Sequence, residues 1–154
     1  MLPSTVARVP DHTAEHVNEQ IRHRMEERVA RLAAAGPEAV ARRLEELDRE
    51  WDTERTLEAN AATLTAVGSA LALLVDRRFA VVPLVVGSFL LQHAVQGWCP
   101  PLPVFRRYGV RTQAEIEQER YALKAVRGDF KRVREDPAVR PVARADQAIQ
   151  AVTG

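Results

Sequence analysis

The fold turns on residues 61–95, "AATLTAVGSALALLVDRRFAVVPLVVGSFLLQHAV", where two greasy runs flank the polar residues Asp76, Arg77 and Arg78. Ala61 to Val75 and Phe79 to Gln92 contain no charged residue, although charged residues make up 28% of the chain. Each apolar segment is about 17 residues, or about 25 Å of helix at about 1.5 Å per residue, the short limit for crossing a bilayer. Length therefore leaves a membrane span and a buried core helix both open, and the polar inventory decides. The first run offers only Thr63, Thr65 and Ser69, whose hydroxyls bond back to their own helix, and the second has Gln92 and His93 near its end. Neither has the wet stripe that a helix of a small soluble domain carries. Ala61, Thr65 and Ser69, and likewise Gly68 and Ala72, recur at four-residue spacing and predict close helix approach in lipid. Pro83 in mid-segment is also better tolerated in a membrane helix than in a soluble one. The reading is all-α: a two-span transmembrane helical hairpin, spans about 59–75 and 79–95, with amphipathic cytoplasmic helices before and after it. A soluble helical oligomer with a buried hairpin is the alternative.

Working outward toward the N-terminus, residues 1–58 read as amphipathic helices after a loose, proline-bearing first ten residues. Val17, Ile21, Met25, Val29 and Leu32 recur at helical spacing after a cap at Asp11 or Thr13, and Gly36 ends that helix. Pro37 opens a second, with Val40, Leu44, Leu47 and Trp51 on one stripe. No proline interrupts the chain between Trp51 and Val75, so this second helix is expected to run unbroken into the first span. The first ten residues lack the apolar core and small-residue cleavage site of a secretory signal. Beyond the hairpin, residues 96–130 hold a proline-rich loop and a cytoplasmic helix. There "TQAE" at 112–115 is a capping box, Ile116, Leu123 and Val126 are the apolar positions, and Gly128 is the stop. Residues 131–154 read as a weakly ordered tail, within which "VARADQAIQAV" can form a short helix.

The 22 basic and 21 acidic residues leave no field to hold nucleic acid. Their arrangement is more informative than their sum. Arg42, Arg43, Arg49 and Arg55 precede the hairpin and Arg106, Arg107 and Arg111 follow it, against Arg77 and Arg78 in the turn. The positive-inside bias thus places both termini in the cytoplasm. Near-exclusive use of arginine as the cation suggests a high-GC bacterial genome, so the membrane expected is the bacterial inner membrane.

The single cysteine excludes an internal disulfide and a one-chain zinc ribbon. It stands in "GWCPPLPVFRRYGV", residues 97–110, where three prolines argue against a regular helix and Trp98, Phe105 and Tyr108 are rings suited to a membrane surface. An apolar hairpin followed by Gly97-Trp98-Cys99-Pro100 and then Tyr108-Gly109-Val110 resembles the YgaP-like transmembrane domain, a small inner-membrane family of unknown function. Some members of that family are fused to a rhodanese sulfurtransferase domain, so the resemblance implies a link to sulfur chemistry, here through a partner. Pro101 and the long charged helices before the hairpin depart from the family's pattern.

The candidate functional motif is therefore Gly97, Trp98, Cys99 and Pro100, with His93 as a secondary candidate. Cys99 reads first as a small residue packed under Trp98, then as a reactive thiol with Arg106 or Arg107 lowering its pKa, then as an intermolecular disulfide or a haem thiolate with His93. His93 reads as a hydrogen-bonding partner of a neighbouring helix or as a proton relay. His12, His16 and His23 read as a solvated face rather than metal ligands. No catalytic residue, metal ligand or cofactor is predicted, and enzymatic activity is left open with a non-enzymatic role favoured. The leading reading is an inner-membrane anchor or scaffold in the lipid bilayer, self-associating through its small-residue faces and the Val40 to Trp51 stripe, with a cytoplasmic protein partner. A membrane-held sulfur or redox carrier acting through Cys99 is the alternative.

Overall fold

In the computed structural model, residues 4–133 and 141–153 are described, and among them there is no strand. The helices in chain order are α1 (Arg8–Asp11), α2 (Glu15–Ala35), α3 (Pro37–Leu47), α4 (Thr53–Leu74), α5 (Val81–Gln96), α6 (Leu102–Arg107), α7 (Gln113–Arg127) and α8 (Pro141–Thr153). The chain forms two units. One comprises Met1–His23 with Trp51–Ala114, the other Arg24–Glu50 with Glu115–Gly154.

The first unit is built on the hairpin. The helix expected to run unbroken from Pro37 to Val75 stops at Leu47 and restarts at Thr53. Asp52 supplies the physical reason: in extended backbone, its side chain accepts a hydrogen bond from the Arg55 amide and caps a new helix. The Thr53 amide and hydroxyl both bond to the Arg111 carbonyl, at 2.8 and 3.0 Å, so the start of α4 is also pinned from outside the helix. Trp51 consequently leaves the apolar stripe. It is 49% exposed and carries the Arg55 guanidinium over its ring.

At the turn, Asp76 accepts from the Arg78 amide and a single 3-10 turn, Arg77–Ala80, leads into α5. Pro83 is then the third residue of α5, in the first turn, where the amide it lacks has no intrahelical acceptor to lose. It is thus not the mid-helix proline that the sequence suggested. Gly68 brings the two arms together, since a Cβ there would stand 2.8 Å from Val82 side-chain atoms and 3.0 Å from Pro83 Cδ. This small residue, expected to serve contact between copies, is used inside the hairpin. The outward faces of both arms remain apolar, with Leu73 85% and Leu84 70% exposed. Thr53–Leu74 and Arg77–Gln96, the latter including the 3-10 turn, are long and apolar enough to cross a membrane, and little of either is buried within the chain.

The open end of the hairpin is closed by the segments around it. Gly97 adopts φ +82° and ends α5, its amide bonding to the His93 carbonyl at 2.7 Å. Prolines in "CPPLPV" do not prevent a helix, because Pro101 caps α6 and Pro103 lies in its first turn. The N-terminal segment expected to be loose contributes α1, and its Val9 is buried with Leu57, Cys99 and Leu102, with Phe105 packed alongside. Arg106 is buried and donates to Thr13 Oγ1, Asn18 Oδ1 and the Val110 carbonyl.

The second unit has its own core of Val40, Leu44, Leu47, Ile116 and Leu123, with Val29 and Leu32 against it. Val126, expected among the apolar positions of α7, is instead exposed. The Val40-to-Leu47 stripe thus faces an intrachain core. Glu119, fully buried, accepts from Arg28 Nη1 and Arg43 Nε, each at 2.8 Å. Burial disfavours the Arg43 cation, but hydrogen bonds to Glu119 and Glu46 outweigh it and raise its pKa above the ordinary arginine value. Lys124 donates to the Val152 carbonyl at 2.6 Å and so ties α8 to α7. The "VARADQAIQAV" helix exists as α8, while 134–140 and 154, also assigned to a weakly ordered tail, lie outside the described residues.

Two outcomes are expected. In Gly97→Ala the left-handed backbone and a Cβ placed 2.5 Å from the Arg8 carbonyl oxygen both oppose folding, so thermal unfolding in detergent should show a loss of at least about 2 kcal/mol. Glu119→Gln should cost about 2–4 kcal/mol by the same measurement, because two arginines lose the charge that compensates them.

Candidate functional site

The site lies at the open end of the hairpin, where the first turn of α4 meets the last turn of α5. Glu54 is in that first turn, where the partial positive charge of a helix start favours a carboxylate. His93 is in the last turn of α5 and is only 1% exposed. Its Nε2 lies 3.0 Å from Glu54 Oε2. Glu54 Oε1 accepts in turn from Arg8 Nη2 at 2.7 Å, and Arg8 Nη1 donates to the Ala94 carbonyl at 2.8 Å, one of the last acceptors of α5. One arginine thereby holds both the carboxylate and the helix end beside it.

Cys99 follows this group through the glycine turn. Because Gly97 reverses the chain after α5, Cys99 turns back toward the open end of the hairpin and is buried there. The Cys99 carbonyl accepts from the Leu102 amide at 3.1 Å, which fixes the loop at the start of α6. His93 Nδ1 is buried and has no hydrogen-bond partner. The arrangement is Arg8, Glu54 and His93 in series. With Glu54 ionised and accepting from Nε2–H, Nδ1 is the ring nitrogen left without a partner. This is the logic of a base with its orienting carboxylate.

Beside the thiol is a cleft of about 180 Å³ between the two arms, lined by Leu57, Ala61, Leu64, Val86 and Phe89 together with Cys99 and Pro100. Asn60 is the one amide among the lining side chains.

The sequence candidates therefore separate. Cys99 and His93 are both buried at the open end of the hairpin, Gly97 supplies the turn between them, Pro100 lines the cleft and Trp98 is half-buried. The cation imagined beside Cys99 is not Arg106, whose guanidinium is taken up by Thr13, Asn18 and the Val110 carbonyl. His12, His16 and His23 are exposed, and no metal-binding cluster of three His, Cys, Asp or Glu occurs among the described residues. Glu54 and Arg8 escaped the sequence reading. The available signal was that a hairpin brings its two ends together, so the carboxylate entering the first arm should meet the histidine leaving the second.

Comparison with protein-family models, with curated proteins and with solved structures finds no match to this chain. The resemblance to the YgaP-like transmembrane domain stands on its residues alone.

The geometry predicts one tautomer. Nitrogen NMR of histidine-labelled protein in micelles should show neutral His93 protonated at Nε2, and Glu54→Gln should populate the Nδ1–H form, since the fixed acceptor is gone.

Proposed function

We propose that this chain is an integral protein of the bacterial inner membrane whose two-span hairpin presents a thiol, Cys99, served by His93 and Glu54, and that it acts as a membrane-held carrier through that thiol. The observation that carries this reading is the Arg8–Glu54–His93 series, which ends on a buried, unpartnered imidazole nitrogen at the end of the hairpin where the chain's one cysteine is also buried. A passive anchor has no use for that alignment. The membrane part is supported by the exposed apolar faces of α4 and α5, which a soluble chain would have to cover. Both termini are assigned to the cytoplasm by the excess of arginine before and after the hairpin over the two in its turn.

Carbonate washing should leave the protein in the membrane fraction, and Arg78→Cys in a Cys99→Ser background should be labelled from the outer face of intact spheroplasts. Release by carbonate, or labelling from the inner face only, would remove the membrane or orientation part respectively. For the thiol, the rate of alkylation by iodoacetamide should follow a pH profile set by His93, and His93→Gln should slow it roughly tenfold or more at neutral pH. Equal rates and identical pH profiles in the two proteins would return Cys99 to a packing role and favour the anchor-or-scaffold reading, under which Cys99→Ser keeps every activity.

A further inference from the structure

We infer that the second unit carries a phosphate-binding site, in the cleft between α2 and α3 where Arg28, Arg31, Arg42 and Arg43 converge. The two helices meet at Gly36, whose φ of +96° turns the chain before Pro37 opens α3, and Val29 and Leu32 of the first pack against the core that Val40 and Leu44 of the second help to build. The cleft between them measures about 310 Å³ and is lined by the four arginines with Leu32, Ala39 and Glu46. That size falls at the low end of the roughly 300–1,000 Å³ of small-ligand pockets. The site is independent of Cys99 and of the thiol reading.

Two of the arginines are braced and two are open. Glu119, fully buried, accepts from Arg28 Nη1 and Arg43 Nε, and Arg43 also donates to Glu46 and Glu50. Arg28 spends one N–H on Glu119 and keeps the rest of its fork for the cleft it lines. Arg31 and Arg42 are exposed and make no ion pair among the described residues. Partners at helical spacing exist, since Glu27 stands four residues before Arg31, and Glu38 and Glu46 stand four residues either side of Arg42. Four cations thus face three carboxylates, Glu46, Glu50 and Glu119, each of which is already bonded to Arg43. The unspent donors are those of Arg28, Arg31 and Arg42, whose like charges repel until an anion with several oxygens joins them. A phosphate group brings up to about two charges and three acceptor oxygens to guanidinium forks, where a carboxylate brings one charge and two oxygens. No aromatic ring lines the cleft, so a nucleic-acid base has nothing to stack on. The phosphate is that of a small soluble ligand or of a phospholipid headgroup.

The test titrates inorganic pyrophosphate by calorimetry into the full chain held in phosphatidylcholine nanodiscs. One pyrophosphate should bind per chain. Arg31→Gln combined with Arg42→Gln should weaken it at least about tenfold, with thermal unfolding of the ligand-free protein unchanged, because neither side chain has an intrachain partner to lose. Arg24→Gln combined with Arg49→Gln removes the same charge from exposed positions outside the cleft and should shift binding by less than about threefold. Absence of binding to the parent protein, or equal weakening by the two pairs of substitutions, overturns the proposal. Discs containing phosphatidic acid, compared with discs brought to the same surface charge by oleic acid, separate the two sources. A headgroup in the cleft weakens pyrophosphate binding only in the phosphatidic acid discs, whereas a soluble phosphate ligand leaves the two sets equal.

Discussion

The hydrogen bond between Glu54 and His93 is the constraint on which the first unit depends. It joins the start of one arm to the end of the other, and it does so where both groups are already favoured or held. Glu54 sits at a helix start, and Arg8 places its positive charge at the carbonyl end of α5. Both charges thus oppose the dipoles of the helix ends they touch. The imidazole completes the circuit, and Cys99 is buried at the same end after a glycine that no other residue replaces without meeting the Arg8 backbone.

Polar and apolar roles are segregated along the hairpin. Toward the middle of the arms the hydroxyls of Thr63 and Ser88 bond to the carbonyls of Ala59 and Leu84, four residues back on their own helices, at 2.7 and 2.8 Å. Each is satisfied within its own helix. Long-range polar contacts collect instead at the open end, where Arg8, Glu54, His93, Thr53 and Arg106 find acceptors or donors in other segments. The second unit solves a different problem by holding the buried carboxylate of Glu119 between two arginines beside an aliphatic core.

The hairpin was legible because its evidence is local: two uncharged runs, a three-residue polar break, and no polar face on either arm. Gly36 and Gly128 were legible for the same reason as helix ends, and each takes a positive φ. The break between Leu47 and Thr53 was not, since nothing from Asp48 to Asp52 is a strong helix breaker and the decisive contact, Thr53 to the Arg111 carbonyl, spans 58 residues. The site was half legible. Cys99 and His93 announce themselves by rarity, whereas Glu54 and Arg8 belong to the two most abundant classes of charged residue in the chain. Their pairing, across 46 residues, appears only when α1 packs beside the hairpin end.

A double-mutant cycle tests the central contact most directly. Unfolding free energies in detergent would be compared for the parent protein, Glu54→Gln, His93→Gln and the doubly substituted chain. The account predicts a coupling of about 1–3 kcal/mol between the two sites, because each substitution removes the same bond between the arms. Additivity to within about 0.3 kcal/mol would mean that Glu54 and His93 act independently, and the latch with the thiol chemistry built on it would be contradicted.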